Sequence, residues 1–331
     1  FSEILGRDIP VPLPRMKYTE ALERFGSDKP DTRFGMEITD LTDVVKDCGF
    51  GVFTSAIANG GTVRCITAKN GASTFTRKEI DKLTEYVKGI GVKGLAYIRW
   101  VEDAPNCSFG KFLGEGELDK ILAAAGAEKG DVVFIIADKK NTALTSLGAL
   151  RLKCARQLNI IPEGKFNFLW ITEFPFFEWN EETQHWDAMH HPFTMPMDEC
   201  LQYLDTAPEK VFAKAYDLVL NGTELSSGSI RITDYELQQK MFESLGLTDE
   251  EIEAKFGFLV EAYKYGAAPH GGMGIGLDRL AMIMCGADSL RDVTAFPKVQ
   301  NASELMSNCP AAVDKDSLDI LGIEVTKSED E

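Results

Sequence analysis

The stretch Ala215–Ile232 reads AYDLVLNGTELSSGSIRI, and it decides the architecture of the second half of this chain. Two aliphatic runs flank Asn221-Gly222, the dipeptide that most strongly favours a two-residue type I′ hairpin turn. Such a turn sets the register of both strands, and it places Asp217 and Glu224 on one face as diagonal neighbours, about 7–8 Å apart. Two carboxylates at that separation can share a hard divalent cation, which prefers oxygen ligands.

Arg231 follows Glu224 by seven residues, so a regular strand would place it on the opposite face. The segment Ser226–Gly228 is flexible enough to hold a β-bulge, and one extra residue there returns Arg231 to the carboxylate face. The alternative interpretation is a solvated hairpin face with alternating charges. Leu218 and Ile230 favour burial instead.

Glycine is dense in a second stretch, His270–Met284, which reads HGGMGIGLDRLAMIM. A dinucleotide-binding loop would need glycine where Leu277 stands. The pattern indicates instead a glycine-rich strand that runs into a helix, with Asp278 and Arg279 in the first turn. Strand glycines let a flat group such as a nucleobase lie against the backbone, and an arginine at a helix start suits phosphate. Close helix–strand packing with a surface arginine is the structural alternative.

Two adjacent histidines, His190 and His191, begin a third stretch, HHPFT. Neighbouring side chains on a strand point in opposite directions, and no third ligand lies nearby in the sequence, so a zinc site is disfavoured. Imidazoles that donate hydrogen bonds to an anionic substrate are the better interpretation. His185 and His270 are interpreted as structural.

Composition excludes several classes of protein. The chain has 331 residues, 44% of them hydrophobic and 26% charged, which is unlike disordered or collagen-like sequences. No apolar run approaches the length of a membrane span. The formal net charge of −17 argues by itself against nonspecific phosphate binding. Seven scattered cysteines without a C-x-x-C motif indicate reduced thiols in a cytoplasmic protein.

The middle of the chain, residues 31–160, is expected to form a compact α+β unit with its own core. Two strands, 51–57 and 62–68, are predicted to form a hairpin around Asn59–Gly61. A capping box at Thr76–Glu79 is predicted to open a helix. Other elements show apolar runs, helical spacing or capping signals: strands at 94–101, 132–138 and 168–174, a helix at 143–158, and helices opened by capping boxes at 233–236 and 248–251. Strands separated by helices and hairpins predict a mixed, largely antiparallel sheet in an α+β fold.

These stretches, in this order, resemble the C-terminal portion of bacterial-type aspartyl-tRNA synthetases, which are class II aminoacyl-tRNA synthetases. The segments Gly26–Asp31 (GSDKPD) and Arg291–Lys298 (RDVTAFPK) match the same family, so the resemblance covers essentially the whole chain. Residues 31–160 resemble the insertion domain that these synthetases share with one amidotransferase subunit.

The resemblance implies part of the class II antiparallel-sheet catalytic core with an inserted α+β domain. Residues 1–30 would then be a catalytic segment that leads into the insertion, and residues 31–160 the insertion domain. Residues 161–315 would be the C-terminal half of the catalytic domain, including motif 3. Residues 316–331 would be an acidic tail.

The resemblance also implies roles for single residues. Motif 3 corresponds to Gly276, Leu277, Asp278 and Arg279, which together with Glu224 would bind ATP, and the arginine would hold the γ-phosphate. Glu224 with Asp217 corresponds to the acidic residues that hold ATP-bound Mg²⁺.

A second group of matched residues would bind aspartate. Arg231 would clamp the side-chain carboxylate, and His190 and His191 would line that pocket. Arg231 and Arg279 are the catalytic residues on this interpretation.

The activity implied is that of an aspartate–tRNA ligase in protein biosynthesis. The α-carboxylate of L-aspartate attacks the α-phosphorus of ATP, and the aspartyl group of the adenylate then moves to the 3′-terminal ribose of tRNA. ATP and Mg²⁺ are the implied cofactors, a homodimer the implied assembly and the cytoplasm the implied location. Motifs 1 and 2 and the anticodon domain are not among these residues, so the chain by itself is expected to be inactive.

Three alternatives remain at this point. Another class II activating enzyme, such as an asparaginyl-tRNA synthetase, would share the motifs but lack the insertion. An amidotransferase subunit would share only residues 31–160. A non-catalytic binding or interaction fragment would share the sequence but not the activity.

Overall fold

The computed structural model describes residues 1–101 and 103–326. They form two compact units: one comprises Ser2 and Gly6–Ile275, and the other comprises Phe1, Glu3–Leu5 and the residues from Gly276 onward. No helix in the described ranges is long and apolar enough to cross a membrane.

The β-strands are, in chain order, β1 (Arg15–Lys17), β2 (Thr39–Asp40), β3 (Thr62–Ala68), β4 (Ala96–Arg99), β5 (Asn106–Cys107), β6 (Val132–Asp138), β7 (Phe168–Pro175), β8 (Phe177–Asn180), β9 (His185–Ala188), β10 (Phe212–Leu220), β11 (Thr223–Ile230) and β12 (Gly271–Ile275). The α-helices are α1 (Ser2–Leu5), α2 (Tyr18–Phe25), α3 (Thr42–Val45), α4 (Gly51–Ala58), α5 (Arg77–Lys88), α6 (Glu117–Ala124), α7 (Lys140–Gln157), α8 (Tyr235–Ser244), α9 (Asp249–Lys264), α10 (Leu277–Cys285) and α11 (Lys315–Leu321). Short 3₁₀ helices lie at Gly110–Phe112, Asp198–Tyr203, Pro208–Lys210 and Leu290–Asp292.

The first sheet has five strands in the order β1-β7-β10-β11-β12. β1 and β7 are parallel and the other neighbours are antiparallel, which confirms the predicted α+β class with a largely antiparallel sheet. Apolar residues of β7 and β10, among them Ile171 and Val219, pack in one core with Phe25 of α2 and Met241 of α8. Strands β8 and β9 form a separate two-stranded ribbon.

The second sheet has five strands in the order β2-β3-β6-β4-β5, all antiparallel. Alternate residues of β6 face opposite sides, as strand geometry requires. Phe134 packs with helices α5 and α7, whereas Ile135 packs with α4 and α6. The second sheet is therefore buried between two helical layers, each with its own apolar core.

One strand prediction is wrong, because residues 51–58 form the helix α4. Phe53 and Ile57 are four residues apart, so they share one helical face and pack into the core under the second sheet. The predicted hairpin at Asn59–Gly61 is instead the turn from α4 into β3. A Cβ on Gly61 would lie 2.7 Å from the backbone oxygen of Asp138, which explains the glycine there.

Most other element predictions are confirmed within a few residues, but two of the three capping boxes are wrong. Thr248 and Glu251 form the predicted reciprocal pair at the start of α9. Thr76 precedes α5 without a side-chain capping hydrogen bond. The cap of α8 is Asp234 rather than Thr233, and its side chain accepts from the backbone N–H of Leu237.

The unit that comprises Phe1, Glu3–Leu5 and the residues from Gly276 onward contains α10, a 3₁₀ turn and α11 in addition to most of α1. Where the acidic tail 316–331 was predicted, residues 315–321 form α11, capped by the Asp314 carboxylate, which accepts from the Ser317 N–H at 2.9 Å. Residues 327–331 of the predicted tail lie outside the described residues.

Candidate functional site

The β10–β11 hairpin has the predicted turn. Asn221 and Gly222 both have positive φ, at 52° and 84°, as a type I′ turn requires. The flanking pairs, which include Val219 opposite Glu224, follow the predicted register. The local sequence therefore sets this part of the site without help from distant residues.

A β-bulge interrupts this hairpin, as the position of Arg231 required. The pairing of β10 with β11 shifts once because Leu225 is an extra residue on β11. The bulge lies just before the predicted segment 226–228. By alternation along the strands, it brings Arg231 to the face that carries Asp217 and Glu224.

Asp217 is a nearly buried carboxylate, only 5% exposed. Its Oδ1 atom is buried and has no hydrogen-bond partner within the described residues. Burial raises the pKa of this carboxyl, a hydrogen bond with Ser227 opposes the rise, and the negative charges of Glu224 and Asp28 add to it. An acid held in this way is destabilised in its charged form, and a bound cation would relieve that cost.

The loop between α2 and β2 adds two residues that sequence reasoning did not include in the site. Lys29 Nζ lies 3.7 Å from Glu224 Oε2 and 3.8 Å from Asp28 Oδ2. Asp28 is also close enough to affect the titration of Asp217. The sequence feature that could have indicated them is the GSDKPD segment, which places a lysine among aspartates, although it does not indicate which residues they approach.

His191 contacts Arg231. The Nδ1 atom of His191 lies 2.9 Å from Arg231 Nη1 and accepts from the backbone N–H of Phe193 at 3.2 Å; His191 Nε2 also contacts the guanidinium. Burial lowers the pKa of His191 to about 4, and the positive charges of Arg231 and His190 contribute to the shift. At neutral pH the imidazole is therefore uncharged.

His190 has a different contact from His191. Its ring lies edge-on to Phe174, with centroids 4.7 Å apart, and its Nδ1 is buried without a hydrogen-bond partner in the part of the chain that the structure describes. Its charge also influences the titration of Asp217. The two histidines therefore have different partners, Arg231 for His191 and Phe174 for His190.

The low pKa of His191 predicts how the free energy of unfolding depends on pH. The unfolded histidine titrates near its usual pKa of about 6.5, so the unfolded state takes up a proton before the folded state does. Stability contributed by the neutral imidazole is present above about pH 6.5 and is lost as the pH falls toward 4. Urea unfolding of the wild type and of H191Q should show a steeper acid loss in the wild type over this window. Parallel pH profiles would contradict the assignment of a neutral, buried imidazole.

The four residues predicted to form motif 3 belong to the other compact unit. Gly276 precedes α10, and its carbonyl accepts from the Leu280 N–H at 2.9 Å. Asp278 and Arg279 lie in the first turn of α10, as predicted, and Leu277 is exposed.

Asp217 and Glu224 suit a Mg²⁺ ion only in combination with other ligands. Within residues 1–101 and 103–326, no group of three or more His, Cys, Asp or Glu side chains could hold a metal by itself. Mg²⁺ is commonly bound through one or two carboxylates together with substrate phosphates and water. Asp217, with its unpartnered buried oxygen, and Glu224 on the same face suit that mode, in which a nucleotide completes the ligand set.

Comparison with known proteins identifies the class. The family model described as tRNA synthetases class II (D, K and N) matches residues 1–300, so the chain belongs to that family. The amidotransferase alternative required a match confined to residues 31–160, whereas the observed match extends over residues 1–300.

The names of individual relatives confirm the resemblance to aspartyl-tRNA synthetases. The chain is 56% identical over 328 residues to "Aspartate--tRNA ligase" of Ruminiclostridium cellulolyticum, which covers 99% of this chain and 55% of that protein. It is 53% identical over 328 residues to "Aspartate--tRNA(Asp/Asn) ligase" of Lachnoclostridium phytofermentans, with the same shares of each. "Aspartyl tRNA synthetase from Entamoeba histolytica" matches 46% of this chain and 26% of that chain, at 25% identity and a TM-score of 0.33. The chain thus spans about half the length of the curated relatives it matches.

Proposed function

We propose that this chain is the part of an aspartate–tRNA ligase that binds aspartate and the phosphates of ATP. The observation that carries the proposal is the bulge at Leu225, because it puts Asp217, Glu224 and Arg231 on one face of the hairpin. Such an enzyme needs acids that hold a cation next to a guanidinium that binds the carboxylate of aspartate. Asp217 and Glu224 would serve as the acids, and Arg231 would supply the guanidinium. The names of the two bacterial relatives support the same substrate class.

Arg231 is proposed to bind the side-chain carboxylate of aspartate. A guanidinium offers two parallel N–H groups that match a carboxylate. Because its contact with His191 is with a neutral ring, the positive charge of Arg231 is kept for an anionic substrate. His190 and His191 line this pocket in the proposal, and Asp28, which is close enough to Asp217 to affect its titration, is proposed as an acceptor for the ammonium group.

ATP is proposed to bind through Glu224, Gly276, Leu277, Asp278 and Arg279, with Arg279 on the γ-phosphate. Asp217 and Glu224 would hold the Mg²⁺ that accompanies the nucleotide. Bound Mg²⁺ would neutralise charge that develops on the phosphates. The residues of the chain supply orientation and electrostatic stabilisation, and the attacking group is the carboxylate of the substrate itself.

The remaining assignments belong to the whole protein. We propose transfer of the aspartyl group to the 3′-terminal ribose of tRNA, a homodimeric assembly and a cytoplasmic location. We also propose catalytic segments at 1–30 and 161–315, an inserted domain at 31–160 and an acidic tail at 316–331.

An ATP–pyrophosphate exchange assay on the full-length natural polypeptide that contains this chain tests the proposal. Exchange should depend on L-aspartate and should be at least about a hundredfold slower with L-asparagine, because the amide cannot satisfy the charge of Arg231. Exchange that depends on asparagine would identify an asparaginyl enzyme instead. Absence of exchange with either amino acid would favour a non-catalytic binding protein.

A further inference from the structure

The loop that carries Asp28 and Lys29 has to be held in place, because these two residues reach the hairpin from a distant part of the sequence. We call residues 27–36, between α2 and β2, the site loop. Lys29 makes its 3.7 Å approach to Glu224 from this loop. None of its residues belongs to a helix or strand, so its conformation depends on side-chain contacts, both the Asp31–Arg33 ion pair within the loop and contacts with neighbouring elements.

The N-terminal end of the site loop is fixed by direct backbone packing against α7. Gly26 ends α2 in the left-handed region, with φ of 67°. A Cβ on Gly26 would lie 2.0 Å from the carbonyl oxygen of Leu144, and a Cβ on Gly148 would lie 2.5 Å from the carbonyl oxygen of Gly26. Neither glycine can carry a side chain here, so the two backbones touch.

The C-terminal half of the site loop is held by one side chain of the same helix. Arg151 is 1% exposed, and its Nη2 atom donates to the carbonyl oxygens of Asp31, Phe34 and Gly35 at 2.8, 3.0 and 3.0 Å. Its Nε atom donates to the carbonyl of Met36 at 3.1 Å. One guanidinium therefore ties four backbone carbonyls of the loop together.

Aromatic rings complete the surroundings of this buried cation. The guanidinium carbon of Arg151 lies 4.1 Å from the centre of the Phe34 ring and 4.9 Å from that of Phe25. Burial lowers the pKa of Arg151 to about 10, so it remains charged at neutral pH. Carbonyl dipoles and ring faces stabilise the charge, which makes the loop conformation and the arginine depend on one another.

The hairpin closes on the loop from the other side. At the turn, the position of a Cβ on Gly222 would be 3.1 Å from Cβ of Asp31. Asn167, next to the hairpin, donates to Thr32 Oγ1 at 3.2 Å. The site loop is thus held between the hairpin that carries the two acids and the helix α7.

We infer that Arg151 is a positioning residue for the candidate site. Arg151 and Gly148 lie three residues apart, on one face of α7, and they hold the two ends of the site loop. Since α7 packs on the second sheet, that part of the fold sets where Lys29 approaches Glu224 and where Asp28 lies near Asp217. The expected kinetic consequence rests on the proposed function, whereas the structural consequence for the loop does not.

Substitution of Arg151 tests the inference in the full-length polypeptide. R151M keeps most of the volume but removes every donor, R151K keeps the charge without the planar fork, and K153A is the matched control. Lys153 lies on the same helix and packs on Tyr86, away from the site loop. The measurements are amide hydrogen exchange of residues 27–36 and the KM and kcat for aspartate in ATP–pyrophosphate exchange.

We expect R151M to accelerate amide exchange in the site loop and to raise the KM for aspartate by about tenfold to a hundredfold, with a smaller effect on kcat. R151K should lie between wild type and R151M, and K153A should match wild type. If R151M does not fold, the same measurements on R151K and K153A test the inference.

Two results would overturn the inference. One is an unchanged loop and an unchanged KM in both arginine variants. The other is faster exchange throughout the second sheet with no excess in the loop, which would identify a merely structural arginine. If the wild type shows no aspartate-dependent reaction, the proposed function fails, and exchange in the loop still decides whether Arg151 positions it.

Discussion

Replacement of Arg231 by alanine is expected to lower kcat/KM for aspartate by about a thousandfold in ATP–pyrophosphate exchange, equivalent to ~4 kcal/mol. The side-chain carboxylate of aspartate would lose its only proposed cationic partner, while its charge would still have to enter a partly buried site. If the arginine binds the substrate and the transition state equally, most of the loss should appear as a higher KM, with little change in kcat.

The lysine variant and a control on the same strand region sharpen this test. R231K keeps the charge but loses the paired N–H groups, so it should fall between wild type and R231A. K214A removes a cation from β10 that pairs with exposed Asp198 at 2.7 Å, and it should leave kcat/KM nearly unchanged. Equal losses in R231A and K214A would show that general charge, and not this guanidinium, matters.

Replacement of Asp217 by asparagine is expected to reduce kcat by about a hundredfold at fixed Mg²⁺ while leaving the protein at least as stable as the wild type. The loss of activity follows if the carboxylate helps to hold the nucleotide-bound cation. The effect on stability follows from burial, which raises the pKa of this acid, so its charged form opposes folding at neutral pH. In the wild type that penalty should begin to shrink as the pH falls through the raised pKa, and it should be gone below the usual pKa of an unfolded aspartate, about 3.9.

Mg²⁺ titrations and thermal melts on the same samples separate the two effects. D217N and E224Q should both need more Mg²⁺ for half-maximal exchange, whereas D198N, at the exposed ion pair with Lys214, should not. A Mg²⁺ dependence that is unchanged in D217N would remove the acid from the proposed cation site. A lower melting temperature would contradict the claim that the buried charge is unfavourable.

The candidate site shows how far local sequence rules extend. The turn type and the strand register follow from Asn221-Gly222, because only a few residues accept positive φ at both turn positions. The need for a bulge follows because Arg231 lies an odd number of residues after Glu224, which in a regular strand puts the two on opposite faces. The position of the bulge does not follow, because an extra residue anywhere between Glu224 and Arg231 would restore the same face. Only the strand pairing in the structure places it at Leu225.

Residues outside the hairpin required the tertiary structure. Asp28 and Lys29 approach the acids from a loop nearly two hundred residues earlier in the chain, and no local pattern encodes that contact. The same holds for α4, whose short apolar run suits a strand or a helix equally well. Its packing of Phe53 against the second sheet selects the helix.

Sequence by itself thus determined the α+β class, the hairpin and the family, because each depends on short-range backbone preferences or on motifs read in order. The tertiary structure decided which side chains meet. His191 becomes a neutral partner of Arg231 only through burial, and Arg151 holds the site loop only because α7 packs across it. The physical reason is that desolvation and contact between distant segments exist only once the chain has folded, whereas turn geometry is already favoured in the unfolded chain.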